Sequence, residues 1–143
     1  VTTLSTLAER FQLIVGFFDV QNAANQVDAA AFVYDEGGVS TGSAASANWQ
    51  TLCSQASKRT FFTTANAVAA ATWVNLKIIV NAAASQVDFY INDVLIKSET
   101  QNIPSGSGRE LGFGWLLIKS IGSTARTVDF DYLYVEGDFD TSR

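Results

Sequence analysis

The sequence has no histidine and no methionine, one cysteine, one proline, and only 16% charged residues among its 143. Without histidine there is no Ser-His or Cys-His nucleophile pair, no His-ligated zinc and no histidine pH switch. A lone cysteine, Cys53, forms neither an internal disulfide nor a metal-ligand cluster, and reads as a buried, inert side chain. No apolar run reaches the roughly 18–20 residues of a membrane-spanning helix, and Val1 to Glu9 lacks the basic start and apolar core of a signal peptide. Nine basic residues against 14 acidic ones leave a net charge of −5, which repels phosphate backbones and anionic lipid surfaces. Neither nucleic acid nor a membrane is expected as a partner. The missing initiator methionine suggests a processed product or the ordered part of a longer chain.

Apolar residues make up 48% of the chain and aromatics 12%, a composition that excludes intrinsic disorder. A chain of this length buries about 68–70% of its unfolded surface as one domain. Period-two alternation recurs along it and predicts nine strands: Arg10 to Asp19, Asp28 to Asp35, Trp49 to Gln55, Arg59 to Thr63, Trp73 to Asn81, Gln86 to Asn92, Val94 to Glu99, Leu111 to Lys119 and Thr127 to Glu136. The clearest unit is the meander from Trp73 to Glu99, with a loop over Ala82 to Ser85 and a two-residue turn at Asn92-Asp93, residue types that tolerate positive φ. Pro104 to Gly108 forms the loop that ends it. Alanine triplets at positions 29–31, 69–71 and 82–84 conflict with strand propensity. They are read as tight packing positions or loops, with one helical turn allowed near Ala65 to Ala71. The expected architecture is all-β, an antiparallel sandwich or barrel, in a single domain over residues 1–136 with a solvated tail at 137–143 that carries Asp138, Asp140 and Arg143.

Three stretches carry a family resemblance: Thr3-Leu-Ser-Thr-Leu-Ala-Glu-Arg-Phe to Gly16-Phe-Phe-Asp19 with Ala31-Phe-Val-Tyr-Asp35 and Asn48-Trp49-Gln50; Trp73 to Asn81 through Phe89-Tyr-Ile-Asn-Asp-Val-Leu95 to Asn102-Ile-Pro104; and Gly112-Phe-Gly114, Ile118-Lys-Ser120, Gly122 to Asp129 and Asp131-Tyr132. In this order they resemble the concanavalin A-like lectin/glucanase (LamG-like) jelly-roll β-sandwich of bacteriophage structural proteins. The resemblance implies a virion component (a tail fibre, tailspike or head decoration), contact with other virion subunits, and a homo-oligomer, with a trimer favoured. It also implies that strands normally preceding the Leu-Ser-Thr segment are missing.

Glycoside hydrolysis on this fold requires two carboxylates about 5–5.5 Å or 6.5–9.5 Å apart. Asp129 and Asp131 share a strand face, but the Glu-x-Asp-x-x-Glu run of hydrolases resembling this fold is absent, with Thr127 and Tyr134 at the flanking positions, and lyases of jelly-roll type use a histidine. No catalytic residue is assigned, and the pair also reads as an exposed polar face. Glycan binding needs an aromatic face with amides around it. Trp49 with Asn48 and Gln50 meets that composition, as does Trp115 with Tyr132 and Tyr134 near it. The same aromatics also fit core packing, and Trp73 reads as core. Asp28, Asp35 and Glu36 lie near loops whose convergence would offer oxygen ligands to calcium, without any specific ligand spacing, so no metal residue is assigned. Lys119, Arg126 and Arg109 are the basic residues of interest: Lys119 and Arg126 bracket a short connection and are expected to pair with Asp129 or Asp131 across a hairpin, the alternative being contact with an acidic partner subunit or an anionic polysaccharide. The reading is a non-catalytic lectin-like virion module at the particle surface. Attachment to a surface polysaccharide through Trp49, Asn48, Gln50, Trp115 and Tyr132, and polysaccharide degradation, are the alternatives.

Overall fold

A computed structural model describes residues 1–19 and 24–137. Eight strands form in chain order: β1 (Phe11–Phe18), β2 (Ala29–Asp35), β3 (Ser46–Gln55), β4 (Lys58–Ala67), β5 (Leu76–Val80), β6 (Val87–Ile91), β7 (Val94–Glu99) and β8 (Gly112–Lys119). They make a five-stranded sheet of order β4-β3-β2-β1-β8 and a three-stranded sheet of order β5-β6-β7. All pairings are antiparallel, so the fold is all-β and consistent with a sandwich.

Alternation on the larger sheet defines two buried faces. Phe11, Leu13 and Val15 of β1, Ala30, Phe32 and Tyr34 of β2, and Trp49 and Cys53 of β3 point toward the smaller sheet, meeting Val87, Phe89 and Ile91 of β6. Phe32 makes edge-on contacts with Phe89 at 5.3 Å and Trp49 at 6.3 Å between ring centroids. The intervening residues Ile14, Phe18, Ala29, Ala31, Val33 and Leu52 form a second cluster on the opposite face, with Phe61 and Leu116 packed against it. A Cβ at Gly42, in the β2–β3 loop, would lie 3.8 Å from the Phe61 ring on that side. Burial on both faces explains why β2 is apolar along nearly its whole length.

The turns follow local chemistry. Asn92 and Asp93 adopt φ values of 50° and 63°, as the two-residue hairpin requires. Ala29–Ala31 fulfil the tight-packing expectation, because a Cβ at Gly16 would lie 2.7 Å from the Ala31 Cα. Two expectations are corrected. No helical turn forms near Ala65 to Ala71, where residues 65–67 continue β4. Thr127 to Glu136 forms no strand; alternation specifies which side chains share a face, not that an edge receives them. Of the predicted tail, Asp138, Asp140 and Arg143 lie outside the described residues.

Cys53 is buried. Burial first, and then the Glu99 carboxylate, raises its thiol from 9.0 to about 12, and burial raises the Tyr34 phenol from 10.0 to about 12. The unfolded chain therefore loses these protons at lower pH than the folded one. The pH dependence from these groups is absent below about pH 9, and stability falls progressively between about pH 9 and 12. Urea midpoints at about pH 7, 8.5 and 11 should agree at the first two and drop at the third, with Cys53→Ala weakening the onset of the drop.

Candidate functional site

Adjacent residues on a strand point to opposite faces, and that rule separates the first predicted aromatic group. Trp49 faces the main core at 5% exposure. Gln50 is fully buried on the other face, where its Nε2 donates to the Ala44 carbonyl at 3.0 Å and its Oε1 accepts from Ser43 Oγ at 3.2 Å. Asn48 Nδ2 donates to the Thr64 carbonyl at 2.8 Å. Asn48 and Gln50 are thus engaged within the chain and do not flank the Trp49 ring, so the expected trio is not brought together.

Trp115 sits on the inner face of β8, opposite Val15 of β1. On this face of β8, Phe113 and Leu117 pack against the main core, and Trp115 between them does not. Trp115 is consequently 55% exposed rather than core. The unpaired segment after β8 returns across it, with Phe130 stacked on Trp115 at 4.3 Å and 30°. Tyr132, Leu133, Tyr134 and Val135 continue that segment, each more than half exposed.

Trp73 is the third aromatic feature and departs furthest from its core assignment. The period-two pattern that runs through it belongs to β5, which begins only at Leu76. Trp73 precedes that strand, is 69% exposed, and borders a groove of about 360 Å³ shared with Trp49, Asn66, Thr72, Ile91 and Asn92. Position in the connection, rather than composition, was the signal available in the sequence.

The acidic groups are individually occupied. Asp28 and Asp35 flank opposite ends of β2 and do not converge. Asp28 Oδ1 pairs with Arg109 Nη1 at 2.5 Å and accepts from the Ala56 N–H. The Asp35 carboxylate is buried and accepts from Gln12 Nε2 and from the Val39 and Ser40 N–H groups, bracing the loop after β2. Glu36 accepts from the Tyr34 hydroxyl at 3.0 Å. No group of three or more potential metal ligands occurs among the described residues. Asp129 and Asp131 are exposed on the irregular segment, Asp129 accepting from Thr2 Oγ1 at 3.4 Å.

Lys119 pairs with Glu9 instead of Asp129 or Asp131, a correction that follows from the turn after β8. The Glu9 carboxylate accepts from Lys119 Nζ, the Ser123 and Thr124 N–H groups and the Thr124 hydroxyl. The Lys119 hydrogen bond, then those of Thr124, hold the carboxyl down to about 2. This contribution is present above the ordinary value of 4.5 and is lost as pH falls toward 2. Arg126 joins no ion pair among the described residues, and its Nε is shielded from solvent without an acceptor.

The family model for the SO2946-like, C-terminal domain matches residues 1–131. The chain belongs to this family. No curated protein and no solved structure matches it. The stretch matched to the SO2946-like C-terminal domain takes in all eight strands, the Trp73 groove and Phe130, and stops before Tyr132.

Proposed function

We propose that this domain is a non-catalytic, concanavalin A-like jelly-roll module of a bacteriophage virion protein, acting through contact between copies of itself. The observation that carries the reading is a chain with an unpaired sheet edge and an unpaired strand-patterned segment side by side. Among the described residues, β8 ends the five-stranded order with one edge unpaired. Beyond it, Val128, Phe130, Tyr132 and Tyr134 alternate with Asp129, Asp131, Leu133 and Val135 without pairing. Free edges accept added strands, main-chain hydrogen bonds supplying affinity and alternate side chains supplying specificity. Because donor and acceptor lie on the same chain, exchange between identical copies satisfies both, and a head-to-tail arrangement closes into a ring when its rotation permits. The aromatic character of the segment agrees with this, since interface cores are enriched in Tyr, Trp and Phe. The phage context and the finer fold name rest on the sequence resemblance. The absence of catalysis is supported by the exposed, irregular setting of Asp129 and Asp131, away from the groove.

Light scattering coupled to size exclusion, at tens of micromolar, tests the assembly. A closed oligomer, with three copies favoured, is expected, and Trp115→Asp should shift it to monomer while circular dichroism stays unchanged. A monomer at all accessible concentrations, or an oligomer indifferent to Trp115→Asp, Tyr132→Asp and Tyr134→Asp, overturns the reading.

A further inference from the structure

The groove beside Trp73 is independent of the β8 surface and has a different chemical character. One side is the exposed indole of Trp73. Its floor includes Trp49, fixed edge-on against Phe32, and Ile91. Asn66 and Asn92 contribute side-chain amides. Asn92 is held at the hairpin turn: its N–H donates to the Asn75 carbonyl at 2.8 Å, and its Oδ1 accepts from the Asn75 N–H at 2.9 Å. Its Nδ2 donors are left without an acceptor among the described residues, as are the Asn66 amide and the indole N–H groups of Trp73 and Trp49. None of the lining side chains is charged.

An open aromatic face, several unengaged amide and indole donors, and no charged side chain match a ligand with apolar C–H faces and many hydroxyls. The volume falls within the range of small-molecule sites. We infer that the Trp73 groove binds an uncharged oligosaccharide, a sugar ring stacking on Trp73 while its hydroxyls bond to Asn66 and Asn92. An anionic ligand would meet no cationic side chain in the lining and would approach a chain of net charge −5. Asn92 is turned to this task by the same positive φ that closes the β6–β7 hairpin, so the turn and the site share one residue. The stacking partner, in contrast, lies outside any strand, where its loss leaves the sheets intact.

Affinity electrophoresis through gels cast with neutral polysaccharides (dextran, mannan, laminarin, xylan) and with anionic ones (alginate, hyaluronan) tests the inference directly. Retardation in at least one neutral gel is expected. Trp73→Ala should weaken it by about tenfold or more, as truncation of a central aromatic contact does. Asn66→Ala should weaken it by a smaller factor, Trp73→Phe should retain part of it, and Trp115→Ala should leave it unchanged. Matching thermal unfolding of Trp73→Ala and Asn66→Ala to the parent shows that folding is not the cause. Retardation absent from every neutral gel, confined to the anionic gels, or surviving both Trp73→Ala and Asn66→Ala overturns it. Failure of this test leaves the oligomeric measurement above untouched, because no residue of the groove belongs to the β8 surface.

Discussion

Replacing Phe32 with alanine is expected to destabilise the domain by about 3–5 kcal/mol, the range for deleting a large buried aromatic. Phe32 is fully buried at the centre of β2 and contacts a ring from its own sheet, Trp49, and one from the facing sheet, Phe89. Its loss removes apolar burial, two edge-on ring contacts and the wedge that sets the sheet separation. Neighbouring β-strands cannot close the space without breaking their registers with β1 and β3. Urea denaturation monitored by tryptophan fluorescence checks the magnitude. A loss below about 1.5 kcal/mol would mean that the two sheets meet more loosely than described. The variant should also weaken ligand capture at Trp73, because Trp49, which forms the groove floor, rests on Phe32.

Gly16→Ala is expected to cost about 3 kcal/mol or more, from backbone strain and overpacking together. Gly16 adopts φ of +146°, and a Cβ there would meet the Ala30 carbonyl oxygen at 2.6 Å and the Ala31 Cα at 2.7 Å. Both obstacles are backbone atoms of β2. Moving them would disturb β1, which is paired on both sides, with β2 and with β8. Gly108→Ala is the comparison, since its φ of +75° is also unusual for a side chain but open space surrounds it. A Gly16→Ala variant no less stable than Gly108→Ala, by the same denaturant titration, would contradict the close approach of β1 and β2.

Most strands were legible because period-two alternation survives wherever one or both faces are buried. The meander from β5 to β7 is the clearest case, its Asn92-Asp93 turn adopting the backbone that those residue types permit. The β3–β4 turn was less visible, since Ala56 and Ser57 take φ of 50° and 66° without glycine or asparagine. Its stabilisation comes from afar: the Ala56 N–H donates to Asp28, and the Ser57 N–H to the Val27 carbonyl. Thr127 to Glu136 shows the opposite difficulty, because alternation specifies which side chains share a face but not which edge receives them. The groove was obscured for a related reason. Asn48, Trp49 and Gln50 are contiguous in sequence yet divide between two faces, whereas Trp73, Asn66 and Asn92 meet only after β4, β5 and β6 are placed. Asp28, Asp35 and Glu36 suggest ligands because they lie near loops, but Asp28 precedes β2 and Asp35 ends it, so the strand holds them apart.

The pairing of β1 with β8 has a consequence for the order in which the domain acquires structure. Phe11 lies opposite Lys119, about a hundred residues later in the chain. During synthesis the first strand is made early, pairs with β2, and then waits with one side unfilled until nearly the whole domain has emerged. Such distant contacts place the fold among the slower single domains, on the millisecond-to-second scale. Over that interval the backbone edge of β1 is unpaired in an apolar stretch that includes Leu13, Val15 and Phe17, and such an edge is prone to wrong pairing in a crowded polysome. Arrival of β8, fastened at its far end by Glu9 and Lys119, is the event that ends this vulnerability.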